Sequence, residues 1–250
     1  LMLMDRQLKE GAFFPYLRPP WGLAEVVVVI VLVYLCGIGF GFCSTRWLDR
    51  VALFWGLNTR VTFLLMAGFL QAVLLGGFVL AVVRLRKSSP AVLGLRDFSW
   101  HDVFVYGVAG GIGVFFLMIL LMVLIISLLP HTPQPQPIAE LIVNTHSLRE
   151  VLLPWLLVGV FAPFSEELYF RGFVYPVLRS RTGVAGGIIL TACFFGGLHF
   201  DPIRFLPLSL GGAFLTLLCE RTGSLYPSLF AHSIWNTLMT AIAFLLNQTL

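Results

Sequence analysis

The chain has 250 residues, 58% of them hydrophobic and 11% charged, with a mean hydropathy of +0.93. A soluble domain carries about 25% charged residues, so too few are present to cover a water-facing surface, and the apolar residues fall in long runs of the kind that suits lipid. The net charge of +4 comes from short loops between those runs, not from a basic stripe interleaved with aromatics, so the pattern points to membrane topology and anionic lipid and argues against nucleic acid as a partner.

The first apolar run begins about twenty residues in, after a mixed-charge segment, and no small-x-small cleavage pattern follows it. It reads as a retained membrane helix, not a signal peptide. Seven spans are expected in order: 22–43, 61–83, 103–129, 150–178, 183–199, 205–219 and 224–246. The fifth and sixth are shorter than the ~20 residues that a crossing requires. The fourth is long and contains Pro154, Pro163 and Pro176, which predict a kink or a split. No run alternates with period two, so strands do not compete. The expected fold is an all-α polytopic membrane protein, a bundle of about seven to eight transmembrane helices in a single integral membrane domain.

The segments between spans set the orientation. With the N-terminus inside, the inner side holds Arg6, Lys9, Arg18, Arg84, Arg86, Lys87, Arg96, Arg171, Arg179, Arg181 and Arg221. The outer side holds Arg46, Arg50, Arg60, Arg149 and Arg204. The bias favours a cytoplasmic N-terminus, in a prokaryotic plasma membrane given the short loops. Residues 130–137 (PHTPQPQP) read as a polyproline-II spacer. Residues 84–102 are basic and then amphipathic and are expected to lie on the inner membrane surface. Cys36, Cys43, Cys193 and Cys219 form no CxxC pair and read as small buried hydrophobes.

Ionisable groups inside spans are expensive and are functional candidates by default. Here they are few. Glu166, Glu167 and Arg171 stand in SEELYFR, His199 ends FGGLH, and His232 and Asn236 stand in HSIWN. Glu167 and Arg171 are four apart, share a helix face and can pair. Glu166 is turned roughly 140° from Arg171 at ~100° per residue and is left free to act. His232 and Asn236 share one face, as do Phe195 and His199. At ~1.5 Å of rise per residue, Glu166 lies roughly 20 Å from the inner end of its span, and His232 and Asn236 lie roughly 12 and 18 Å from Ser224. All fall below the membrane surface. His199 is the worst fit and belongs near a helix end or a broken segment.

A carboxylate beside a histidine can hold a water and take its proton. A second histidine and an asparagine can donate to a developing oxyanion. That is an arrangement for hydrolysing an amide carbonyl. The same residues, with Glu166, His199 and His232 as ligands, are also a set that a divalent metal such as zinc would accept. Both mechanisms stay open at this point. The chain has no HExxH and no GxSxG.

Glu166-Glu167-x-x-x-Arg171, Phe195-x-x-x-His199 and His232-x-x-x-Asn236, in that order, resemble the three motifs of the CPBP intramembrane proteases, which include the type II CAAX prenyl endopeptidases and abortive-infection-type membrane proteins. Arg221-Thr-Gly-Ser-Leu-Tyr-Pro-Ser228 and Leu93-Gly-Leu-Arg96 look like further stretches of that family. The resemblance implies variable N-terminal helices over 1–150 and a catalytic core over 151–246. It makes Glu166 the catalytic glutamate, with His199 helping to activate water and His232 and Asn236 on the oxyanion side. Glu167, Arg171 and Phe195 support them. It implies a peptide or protein substrate at the membrane, prenylated in some relatives. Two other readings compete: a non-catalytic immunity or scaffold protein that keeps the cluster for packing, and a small transporter with an intramembrane proton path.

Overall fold

The computed structural model describes residues 18–95, 98–130, 133, 141–142, 145 and 148–249, and among these every regular element is helical. Arg6, Lys9, Arg96 and most of the 130–137 spacer lie outside the described residues. Helix α1 is Leu23–Ser44, α2 is Leu48–Trp55, and α3 is Thr59–Leu85. A 3-10 turn, Pro90–Leu93, leads to α4, Trp100–Leu128. Helix α5 runs from Leu148 to Gly197, α6 is Phe205–Thr222, and α7 is Tyr226–Thr249.

Five stretches are long and apolar enough to cross a membrane: α1, α3, α4, α5 and residues 226–246 of α7. Their surfaces are what a lipid solvent selects. In α1, Val26, Val29 and Val33 are buried, while Val27, Val28, Leu35 and Ile38 are about half exposed. A helix that is apolar all round, with only one stripe against its neighbours, suits hydrocarbon on its other faces.

Helix α5 divides where Gly183 takes φ +75°, a left-handed conformation open to glycine. We call residues 148–182 α5a and residues 184–197 α5b. With this division the described chain has seven long helices, in line with the expected count. The break is at Gly183 and not at the prolines, which corrects the expected proline split. Two π-helical stretches, Leu157–Phe161 and Leu168–Val174, precede Pro163 and Pro176. There Ala162 donates its N–H to Leu157 O and Tyr175 to Phe170 O, five residues back. The wider turns bypass the missing proline N–H and relieve the ring's clash with the preceding turn, so the helix continues.

Helix α5a is the buried axis of the molecule. On one side Tyr169, Phe173 and Val177 pack with Val26, Val29 and Val33 of α1 and Leu75, Val79 and Val83 of α3. A second core joins Val114, Phe115 and Met118 of α4 to Leu215 and Leu218 of α6 and Ala231 and Trp235 of α7. Helices α5b and α6 form a hairpin. It is tied to α5a by Arg179, whose Nε and Nη2 donate to Glu220 at 3.0 and 2.9 Å, and by Tyr175, whose hydroxyl donates to Glu220 at 2.8 Å. Within the segment after α3, expected on the membrane surface, Val92 and Leu93 turn inward, and Leu93 is fully buried. Gly94 O accepts the Leu225 N–H at 2.9 Å, and Gly172 leaves room for Leu93, whose carbonyl oxygen would stand 2.9 Å from a Cβ there. The apolar residues Val92 and Leu93 outweigh the local charge.

Candidate active site

Between the two π stretches, Ala162–Glu167 is a short α-helical island. It presents its adjacent glutamates to different surroundings. Glu167 is fully buried and accepts from Arg171 Nη1 at 2.7 Å, with neither side chain exposed. Arg171 also donates to Gly212 O at 3.1 Å and lies 4.7 Å above the ring of Phe195. One guanidinium thus joins α5a to α5b and α6. Glu166 keeps 23% of its side-chain surface exposed and opens into a cavity of about 530 Å³. The expected pairing of Glu167 with Arg171 is present in the geometry.

Helix α7 supplies His232 and Asn236. His232 is buried, with Nδ1 2.8 Å from Glu167 Oε1 and Nε2 3.8 Å from Glu166 Oε2. Because the Glu167 carboxylate accepts, Nδ1 is the nitrogen that carries hydrogen. This imidazole bridges the two glutamates, a link that motif spacing did not reveal. Asn236 donates from Nδ2 to Val158 O at 2.9 Å, which fixes its carboxamide and leaves its second N–H available. Trp155 Nε1 donates to Thr237 Oγ1 at 3.1 Å beside it.

His199 lies just beyond the end of α5b, in the turn to α6, as its poor helical depth predicts. Its Nδ1 stands 2.8 Å from Phe195 O. A carbonyl only accepts, so Nδ1 bears the hydrogen and Nε2 of the neutral ring is an acceptor. Phe195 packs edge-on against His199 at 4.8 Å and His232 at 5.9 Å between centroids, a shared aromatic wall. The next residue, Phe200, has φ +51°, a strained conformation for a bulky side chain beside a candidate functional group.

Glu166, His199, His232 and Asn236 all line the one cavity, and so does Phe195. Glu167 and Arg171 stand behind it. The opposite wall is apolar and includes Met118, Met122 and Val123 of α4.

Residues 148–238 match the family model described as type II CAAX prenyl endopeptidase Rce1-like. Over this stretch the chain is similar to the Rce1-like family. The rat CAAX prenyl protease 2 (Rattus norvegicus) is 33% identical over 107 residues, covering 37% of this chain and 33% of the relative. The human CAAX prenyl protease 2 (Homo sapiens) is 31% identical over 102 residues, covering 33% and 31%. The chain therefore spans about a third of the length of these curated relatives. No solved structure matches.

The matched segment also contains features that residue types do not announce. Val158 holds Asn236 through a backbone carbonyl, which has no sequence signal. Arg204 lines the cavity and pairs with Asp201 at 2.5 Å; in the sequence it reads only as a loop charge. Among the described residues, no three of His, Cys, Asp and Glu are gathered into a set that could hold a metal ion. Glu166 Oε2 and His232 Nε2 stand at a separation that two ligands of one ion can have, but His199 does not complete the set.

Proposed function

We propose that the protein is an intramembrane endopeptidase that hydrolyses a peptide bond of a membrane-associated or lipidated substrate. The observation that carries this reading is the single cavity lined by Glu166, His199, His232 and Asn236, with only one of the two adjacent glutamates open to it. The names of the matched relatives support it, and the apolar α4 wall suits a lipid-like appendage.

In the proposed mechanism Glu166 takes a proton from a water whose other hydrogen is accepted by His199 Nε2. The water oxygen bonds to the substrate carbonyl carbon, and negative charge moves onto the carbonyl oxygen. The free Asn236 N–H donates to that oxyanion. His232, held by Glu167 through Nδ1 and facing Glu166 through Nε2, completes the oxyanion side. The C–N bond then breaks, and Glu166 returns its proton to the leaving amine. The catalytic turnover is placed in a prokaryotic plasma membrane with the N-terminus cytoplasmic.

The test is proteomic comparison of wild type with Glu166→Ala, followed by cleavage of the peptide so identified in proteoliposomes. The variant is expected to insert normally and to lose all processing. Wild-type processing by Glu166→Ala overturns the reading and leaves a packing role for the cluster. Dialysis against 1,10-phenanthroline is expected to leave cleavage unchanged, whereas a loss restored by zinc would replace the glutamate mechanism with a metal-assisted one.

A further inference from the structure

A second concavity, of about 370 Å³, lies where the chain enters α1 and leaves α3, lined by Arg18, Pro20, Lys87, Ser88, Ser89 and Val92. We infer that it binds the phosphodiester head group of an anionic glycerophospholipid. This proposal is independent of the proteolytic reading.

Depth is the first argument. Glu25 in the first turn of α1 pairs with Arg86, just past the end of α3. The two apolar helices therefore begin and end together, and the pocket sits at the edge of the hydrocarbon-facing belt, where lipid phosphates lie. Charge is the second. Arg86 is matched by Glu25, whereas Arg18 and Lys87 have no ion-pair partner among the described residues. The pocket thus keeps two cations with no ion-pair partner among the described residues and two serine side chains, a donor set for phosphate oxygens.

The backbone supplies a third argument. Lys87 has φ +55° and occupies the helix-terminal position where glycine is usual. Its N–H donates to Arg84 O at 2.9 Å, and the Ser88 N–H donates to Val83 O at 3.0 Å. A side chain kept at a position that favours none marks a place where its charge is used. The facing segment, residues 18–22, is also held: Trp21 is buried, stacks on Phe173 at 4.8 Å between centroids, and donates its indole N–H to Phe173 O at 2.8 Å. Val92, buried at the pocket floor, and Pro20 give apolar surface that suits a glycerol backbone and not a free inorganic anion.

The test is native mass spectrometry of the purified full chain with dioleoyl-phosphatidylglycerol, against dioleoyl-phosphatidylcholine at the same concentration. Phosphatidylglycerol is expected to be retained preferentially. Arg18→Gln and Lys87→Gly are each expected to weaken retention about five-fold, the usual effect of one surface charge on an anionic lipid. Lys87→Gly relieves the left-handed strain, so it is expected to raise Tm without lipid while losing lipid preference, which separates binding from folding. Equal retention of the two lipids, or unchanged retention in Lys87→Gly, overturns the proposal. Displacement of phosphatidylglycerol by millimolar inorganic phosphate overturns the assignment to lipid. The same measurements on Glu166→Ala protein keep the outcome separate from any loss of proteolysis.

Discussion

Two neighbouring glutamates in this chain have opposite dependencies. Glu167 and Arg171 neutralise each other without solvent, and removing one charge leaves the other buried and unmatched. Glu167→Gln is therefore expected to cost about 3 kcal/mol or more, read as a fall in Tm in detergent. Glu166→Gln touches a side chain that already meets the cavity, so its Tm is expected to stay near wild type while cleavage disappears. Comparable Tm losses in both variants would contradict the division. Asn236 is held by Val158 O and offers one remaining N–H. Asn236→Ala is expected to lower kcat by roughly 10²–10³-fold with KM little changed, the usual effect of losing one oxyanion donor.

The site depends on helices that approach closely. A Cβ at Gly212 of α6 would stand 3.0 Å from the Phe195 ring and 3.4 Å from Ala192 of α5b. Gly212→Ala is expected to push this hairpin apart, costing about 1–3 kcal/mol, and to lower kcat because Phe195 carries His199 through its carbonyl. Thermal melting and turnover of the purified variant check both. At this scale much was legible in the sequence. The i, i+4 pairs placed Glu167 with Arg171, and the apolar runs placed the helices. Less legible were features carried by backbone. The π turns place Pro163 and Pro176 harmlessly inside α5a, and the interruption falls at Gly183, an ordinary-looking glycine in a glycine-rich stretch. The inward path of Val92 and Leu93 followed from tertiary packing, which overrode a local amphipathic pattern. His232 between two carboxylates required the position of α7 against α5a, which spacing along the chain cannot supply.

For the molecule as a whole, the pairing of Glu25 with Arg86 puts the start of α1 and the end of α3 on one side. The cytoplasmic orientation proposed from the charge bias then predicts an accessibility pattern. In a background with the exposed Cys43 and Cys193 replaced by alanine, Ser89→Cys is expected to react with a membrane-impermeant maleimide only after permeabilisation. Thr45→Cys, at the other end of α1, is expected to react in intact cells. The reverse pattern would invert the topology.

The two π stretches around Ala162–Glu167 each act as a one-residue phase shift in the helix. Shortening either stretch by one residue would turn this island by ~100° relative to one flanking arm. The cavity-facing Glu166 and the buried Glu167 differ by one step of the same angle. Single-residue deletions across 157–174 should therefore be far more damaging than substitutions at the same positions. The chemistry of this chain is encoded in the angular phase of one helix as much as in the identity of its side chains.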